Sequence, residues 1–283
     1  MLTRVLQFVP AGLARIIALI NFFLMVAWYA HFETLIKLSP TSPPIQFNTA
    51  FTLFFTSVSI LLFRSNRKAL AGLCALIVFT MGTLTFLEFM FHINLGIDQL
   101  FIDCYLAALP AHPGRMASNS ALCFMLLGSA LFLISIQSPK RSAQLPIYMG
   151  ASVVAFSSLA LFGFFIKLPV EFGWGNFSSM AIQTALSFIL LGISVVLTGV
   201  GLGPTLNRNW KDFLPIFVAM MVLTGTVGIW QAALWNETRE VTDQAVLHGK
   251  TIQEQLSSGL EDRIKSIERM ANRLEFKDSP TKA

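Results

Sequence analysis

The sequence predicts an all-α polytopic membrane bundle of seven transmembrane helices, followed by an extramembrane amphipathic helix. Three observations lead there. The chain of 283 residues is 54% hydrophobic and only 12% charged, against about 25% charged residues in a soluble domain. Its apolar residues gather into runs of roughly 20, the length that crosses ~30 Å of hydrocarbon. Its charges are unevenly placed: residues 1–235 hold 12 Lys/Arg and 6 Asp/Glu, whereas the 48 residues of 236–283 hold 8 and 9. A membrane unit, 1–235, therefore precedes a water-exposed unit, 236–283.

The apolar runs are 11–32, 45–63, 69–92, 117–136, 146–166, 179–199 and 214–235. Helix is the open-chain solution in lipid, because each segment must satisfy its own backbone amides. Pro and Gly mark the turns, as at Ser39-Pro40, Pro43-Pro44, His112-Pro113-Gly114 and Gly201 to Pro204. The first run is too long for a cleaved signal peptide and lacks its small-residue site.

Basic residues set the orientation. With the N-terminus in the cytoplasm, the inner segments carry Arg4, Arg15, Arg64, Arg67, Lys68, Lys140, Arg141, Arg208 and Lys211. The outer loops carry Lys37, Arg115 and Lys167. Nine against three selects this orientation. The chain is then a multi-pass protein of the cell (inner) membrane whose segment 236–283 is extracytoplasmic. The net charge of +5 follows largely from these loops. No basic patch interleaved with aromatics suggests nucleic acid. Trp28, Trp174, Trp230 and Trp235 fall near outer ends and read as an aromatic belt.

A weak repeat runs through alternate spans. Asn48-Thr49-Ala50, Asn119-Ser120-Ala121 and Gln183-Thr184-Ala185 open spans two, four and six. Seven residues after each Ala stands Ser57, Gly128 or Gly192. Small residues seven apart on one face let helices approach closely, so Ala121, Gly128, Ala185 and Gly192 are expected at helix–helix contacts. Beyond the spans, Ile252, Leu256, Leu260, Ile264, Ile267, Ala271 and Leu274 recur every three or four residues among charged ones. That is the stripe of an amphipathic helix which must be covered by something.

Polar groups collect at the outer end. Glu88 and His92 are four apart on span three, and Asp98, Asp103, His112 and Arg115 follow in the loop. Ionisable groups in a span are costly, which makes them functional candidates. These six residues are the candidate ligand pocket, with Arg115 as counter-charge to the carboxylates. The ordinary alternative is that they face water singly. No ligand spacing points to a metal, and the sequence names no cofactor. No phosphate loop, nucleophile elbow, zinc motif or kinase motif occurs, so no catalytic residue is assigned and the chain is not expected to be an enzyme.

Two stretches carry a resemblance. Gly96-Ile97-Asp98-Gln99-Leu100, then Pro113-Gly114-Arg115-Met116, then Ser118 to Phe124, resemble the membrane regions of bacterial sensor proteins of the histidine-kinase or diguanylate-cyclase type. Leu260 to Glu275, with Arg269-Met270-Ala271 and Arg273-Leu274-Glu275, is similar to the opening helix of CHASE-like extracytoplasmic sensor domains, except that Leu274 stands where Trp is usual. The resemblance implies a membrane sensory module with an output domain beyond this chain. Its signal is expected to pass along the juxtamembrane helix in a homodimer, because a helix pair is a simple two-state element. The stimulus is not named by the residues. Two other classes stay open: a small-molecule transporter or cofactor-binding (haem or quinone) membrane protein, and a structural or assembly protein of the bilayer.

Overall fold

The computed structural model describes residues 2–37, 43–105, 113–136, 144–165, 180–202, 226, 248–261 and 263–270. Among them every regular element is a helix: α1 (Leu2–Tyr29), the single turn α2 (Glu33–Ile36), α3 (Phe47–Arg64), α4 (Lys68–Phe91), α5 (Ser118–Ile136), α6 (Gln144–Phe165) and α7 (Ile182–Leu202). Residues 248–261 and 263–270 are also helical. The chain divides into two compact units, Met1–Gly228 and Ile229–Ala283. All of α1 to α7 except α2 are long and apolar enough to cross a membrane, which makes six such spans among the described residues. The seventh expected span, 214–235, lies outside the described residues apart from Thr226.

The long helices form three consecutive hairpins, α1–α3, α4–α5 and α6–α7, each packed closely within itself. Neighbouring hairpins meet through α3–α4 and α5–α6, and α7 packs back on α1, closing a ring. The second helices of the hairpins, α3, α5 and α7, also touch one another across the middle. These are the three helices that open with the repeated polar–polar–Ala start.

Burial follows the repeat in register. Ala50, Ala121 and Ala185 are buried, as are Leu53, Phe124 and Phe188 three residues on, and Ile60, Leu131 and Val195 ten residues on. Phe124 and Phe188 meet edge to face at 4.7 Å between ring centroids. The outer helices instead keep one buried stripe. On α1 it runs Ala14, Ile17, Asn21, Leu24, Trp28, while Ile16, Leu19, Phe22, Phe23 and Val26 are exposed. In water such exposure would be costly; against acyl chains it is not, so apolarity no longer sorts inside from outside.

Packing between the helices depends on small residues. A Cβ placed on Gly128 of α5 would lie 2.5 Å from the backbone nitrogen of Phe79 on α4. One on Gly192 of α7 would lie 2.9 Å from the carbonyl oxygen of Gly150 on α6. Gly82 faces the Ala121 carbonyl at 2.8 Å in the same sense. Backbones this close leave no space for a side chain. Ala121 and Ala185 are also buried.

Several hydroxyls inside the bundle are satisfied locally. Thr52, Thr56, Ser57, Ser187 and Thr198 donate to the carbonyl four residues before them, at 2.6–2.9 Å. Such bonds let a hydroxyl sit in a dry interior without a distant partner. Two others cross between helices: Ser59 Oγ to the Ala71 carbonyl at 2.9 Å, and Ser194 Oγ to the Pro10 carbonyl at 3.2 Å. The latter fastens α7 to α1 where the ring closes.

Gly128→Leu and Gly192→Leu are expected to lower the melting temperature and folded yield in detergent, since overpacking costs about 1–3 kcal/mol or more. Gly12→Ala, where an added Cβ meets nothing within 4 Å, is expected to be neutral or mildly stabilising. Wild-type melting of both Leu variants would contradict the close approach.

Candidate functional site: an ionic clamp over the hairpin loops

Helix α4 stops at Phe91 because His92 turns left-handed, φ 52° and ψ 35°. The chain then folds back over the helix end instead of leaving it. Asn94 Oδ1 accepts the Gly96 N–H at 2.9 Å, and Gly96 takes φ 72°, a conformation natural to glycine. Glu88, one turn before the end of α4 and fully buried, accepts the Leu95 N–H at 2.7 Å through Oε1. The loop is thus tied to the helix it has just left.

Arg115 completes the tie from the other side of the loop. Its Nε donates to Asp98 Oδ2 at 2.8 Å and lies 3.5 Å from Glu88 Oε2. Its Nη2 donates to the Ile93 carbonyl at 3.3 Å, and the guanidinium sits 5.4 Å from the centroid of the Phe89 ring. All three charged residues are buried: Glu88 is 0% exposed, Arg115 6% and Asp98 9%. Two carboxylates therefore share one guanidinium, and Glu88 Oε2 and Asp98 Oδ1 accept no hydrogen bond.

The remaining resemblance residues make this geometry fit. Gly114 has φ 80°, and a Cβ there would lie 2.6 Å from the Asp98 carbonyl oxygen. Gln99 Nε2 donates to the Pro113 carbonyl at 3.4 Å. Met116 is fully buried, and Ser118, also buried, begins α5. The two short stretches around Asp98 and Arg115, 17 residues apart, thus form one folded object.

A side chain from another hairpin holds that object down. Asn48, at the start of α3, donates through Nδ2 to the Ile97 carbonyl at 3.0 Å and the Asp98 carbonyl at 2.8 Å. Gln183, its counterpart on α7, donates through Nε2 to the Ile36 carbonyl at 3.4 Å. Hairpin one thus grips the loop of hairpin two, and hairpin three grips the loop of hairpin one. Asn119 is the equivalent residue of hairpin two.

A second anchor lies beside it. Trp28 is 1% exposed and donates Nε1–H to the Ile45 carbonyl at 3.0 Å. Tyr105 donates its hydroxyl to the Trp28 carbonyl at 3.3 Å, and its ring lies tilted against His31, 4.2 Å between centroids. Burial pushes the Tyr105 phenol up, and the Glu33 carboxylate adds to this, so the hydroxyl stays a donor. Trp28 is therefore a loop anchor and not part of an aromatic belt. Trp174, Trp210, Trp230 and Trp235 lie outside the described residues.

Of the six candidate pocket residues, the structure brings together Glu88, Asp98 and Arg115. His92 and Asp103 are exposed, and His112 lies outside the described residues. Spacing of four put His92 on the face of Glu88, but the helix ends between them and the left-handed turn removes the shared face. Asn48, Trp28 and Tyr105 were not legible as site residues. An Asn at a helix start reads as a cap, and an aromatic near a span end reads as a belt. Among the described residues no group of three or more His, Cys, Asp or Glu could hold a metal ion.

Arg115→Met is expected to destabilise the folded unit by about 3–5 kcal/mol, since it strands buried carboxylates without their partner. Adding Asp98→Asn and Glu88→Gln to it should recover part of that loss, seen as a melting temperature above that of Arg115→Met alone. Additive losses across the three substitutions would show that the groups do not interact.

Compared with known proteins, the chain matches no family model, no curated protein and no solved structure.

Proposed function

We propose that this chain is a membrane sensory module, in which a clamped bundle passes a change at its loop end to the polar C-terminal segment and on to an output domain. The observation that carries the reading is the convergence of its receptor-like residues. Those around Asp98 and those around Arg115, chosen for their resemblance to sensor membrane regions, build one buried clamp instead of scattering over a loop. An ionic latch over packed hairpins is a suitable two-state element, because its closed form depends on Arg115 staying within reach of both carboxylates. A ligand or bilayer cue that competes for Arg115 or the carboxylates would bias it.

The described spans give less support to a transporter. Their Asp, Glu, Lys and Arg residues are Arg15, Arg64, Lys68 and Glu88. Arg64 and Lys68 stand at span ends, Arg15 is exposed, and Glu88 belongs to the clamp. Transporter sites gather charge or broken helix near mid-depth. The basic-residue count for orientation is nine inner against three outer. It supports the reading of a cytoplasmic N-terminus and an extracytoplasmic 236–283 segment in the cell membrane.

Reporter fusions placed after Arg141 and after Glu240 are expected to report opposite sides of the membrane. For transmission, an environment-sensitive thiol probe at Leu260→Cys, in a chain lacking Cys74, Cys104 and Cys123, should change its emission when Asp98→Asn opens the clamp. Both fusions on one side would end the topology, and an unchanged probe would end the relay.

A further inference from the structure

The segment 248–270 carries its apolar residues uncovered. Ile252, Leu256, Leu260, Ile264 and Ile267 are 55–66% exposed. Three occupants suit such a stripe in principle: the membrane surface, the rest of a folded domain or a second copy. An interfacial helix is rich in Lys and Arg on its polar face and uses bulky aromatics below. Here Lys250, Arg263, Lys265 and Arg269 are balanced by Glu254, Glu261, Asp262 and Glu268, four against four. The stripe itself is purely aliphatic. Neither feature suits an anionic membrane surface.

The spacing and the flanking charges fit a second copy. From Leu260 the apolar positions are 260, 264, 267, 271 and 274, alternating four and three; the last two continue the pattern beyond the described residues. That is the a/d alternation of a two-stranded coil, with Ile264 at a and Leu260 and Ile267 at d. The same frame puts Arg263 at g and Glu261, Glu268 and Glu275 at e. In a parallel pair, g of one helix faces e of the next heptad on its partner. Arg263 then meets the partner's Glu268, twice by symmetry. In an antiparallel pair the e positions face one another, and every one of them is a Glu.

We propose that the helix around Leu260 to Met270 pairs with the same segment of a second copy as a parallel, in-register coiled coil, joined along Leu260, Ile264 and Ile267 and selected by Arg263–Glu268 contacts. The proposal rests on reading this segment as the water-exposed relay. A helix pair this short is marginal in free solution. Anchoring both copies in one membrane raises their effective concentration and makes both helices leave from the same side.

The test uses the full chain in detergent micelles and in native membranes, without its three native cysteines. Single cysteines replace Leu260, Ile267 or the outward-facing Arg269, and oxidation traps neighbours. Disulfide-linked dimers are expected at 260 and 267 at roughly tenfold the yield at 269. Arg263→Glu should lower the yield at Leu260→Cys roughly three- to tenfold, and Arg263→Glu with Glu268→Arg should restore it. Equal yields at all three positions, or charge variants without effect, would overturn the coil. So would a monomeric Leu260→Cys variant whose introduced thiol becomes protected on adding anionic phosphatidylglycerol vesicles. A membrane-impermeant thiol reagent applied to the same variants reports which side the helix occupies. A failed topology is thereby told apart from a failed dimer.

Discussion

A guanidinium buried between two carboxylates constrains everything around it, because a buried cation is costly without an anionic partner within reach. Arg115 can be where it is only if Asp98 is within hydrogen-bond reach, which fixes how the loop after α4 folds. That fold needs a left-handed His92, a glycine at 96 and a glycine at 114 packed against the Asp98 carbonyl. It also fixes where α5 begins, since Ser118 follows three residues after Arg115. The pair is weak evidence for net stability, because desolvation offsets much of the attraction. Its effect is on which structure forms: an alternative loop path would strand at least one buried charge.

The clamp acts on a bundle whose own symmetry it uses. The three hairpins present equivalent amide-bearing residues at the starts of α3, α5 and α7, and two of these, Asn48 and Gln183, each grip a loop of a neighbouring hairpin. A polar start that looks like a helix cap is thus an inter-hairpin fastener. Below it, the repeat sets the packing. Its Ala, small and bulky positions lie in register along the three inner helices. Lipid offers no hydrophobic incentive for these contacts. Close backbone approach at Gly82, Gly128 and Gly192, and the local hydrogen bonds of the buried hydroxyls, replace it.

The helices themselves were legible in the sequence, since the length and apolarity of a span are direct consequences of bilayer thickness. All six described spans lie within a few residues of the expected runs; the seventh falls outside the described residues. The packing role of Gly128 and Gly192 was legible for a similar reason: a missing side chain at seven-residue spacing has one use. The clamp was legible only in part. Glu88, Asp98 and Arg115 stood out as charges near lipid, and pairing between them followed from that. His92 did not follow the pattern, because a single left-handed residue is invisible to periodicity. Trp28, Asn48 and Tyr105 bond to backbone carbonyls far along the chain, and no local spacing encodes a carbonyl acceptor. Asn21, buried in the middle of α1 and bonded to the Ile17 carbonyl at 2.9 Å, has no local sequence signal for the same reason.

The central claim is that Arg115 holds the loop after α4 closed over the bundle. Backbone hydrogen exchange of residues 93–105, followed by mass spectrometry in nanodiscs, measures this directly. The Leu95 amide, donated to buried Glu88, and its neighbours should exchange slowly in the native protein. In Arg115→Met they should exchange rapidly, while α4 and α5 keep their protection. Equal exchange of the loop in both proteins, whether fast or slow, would contradict the account.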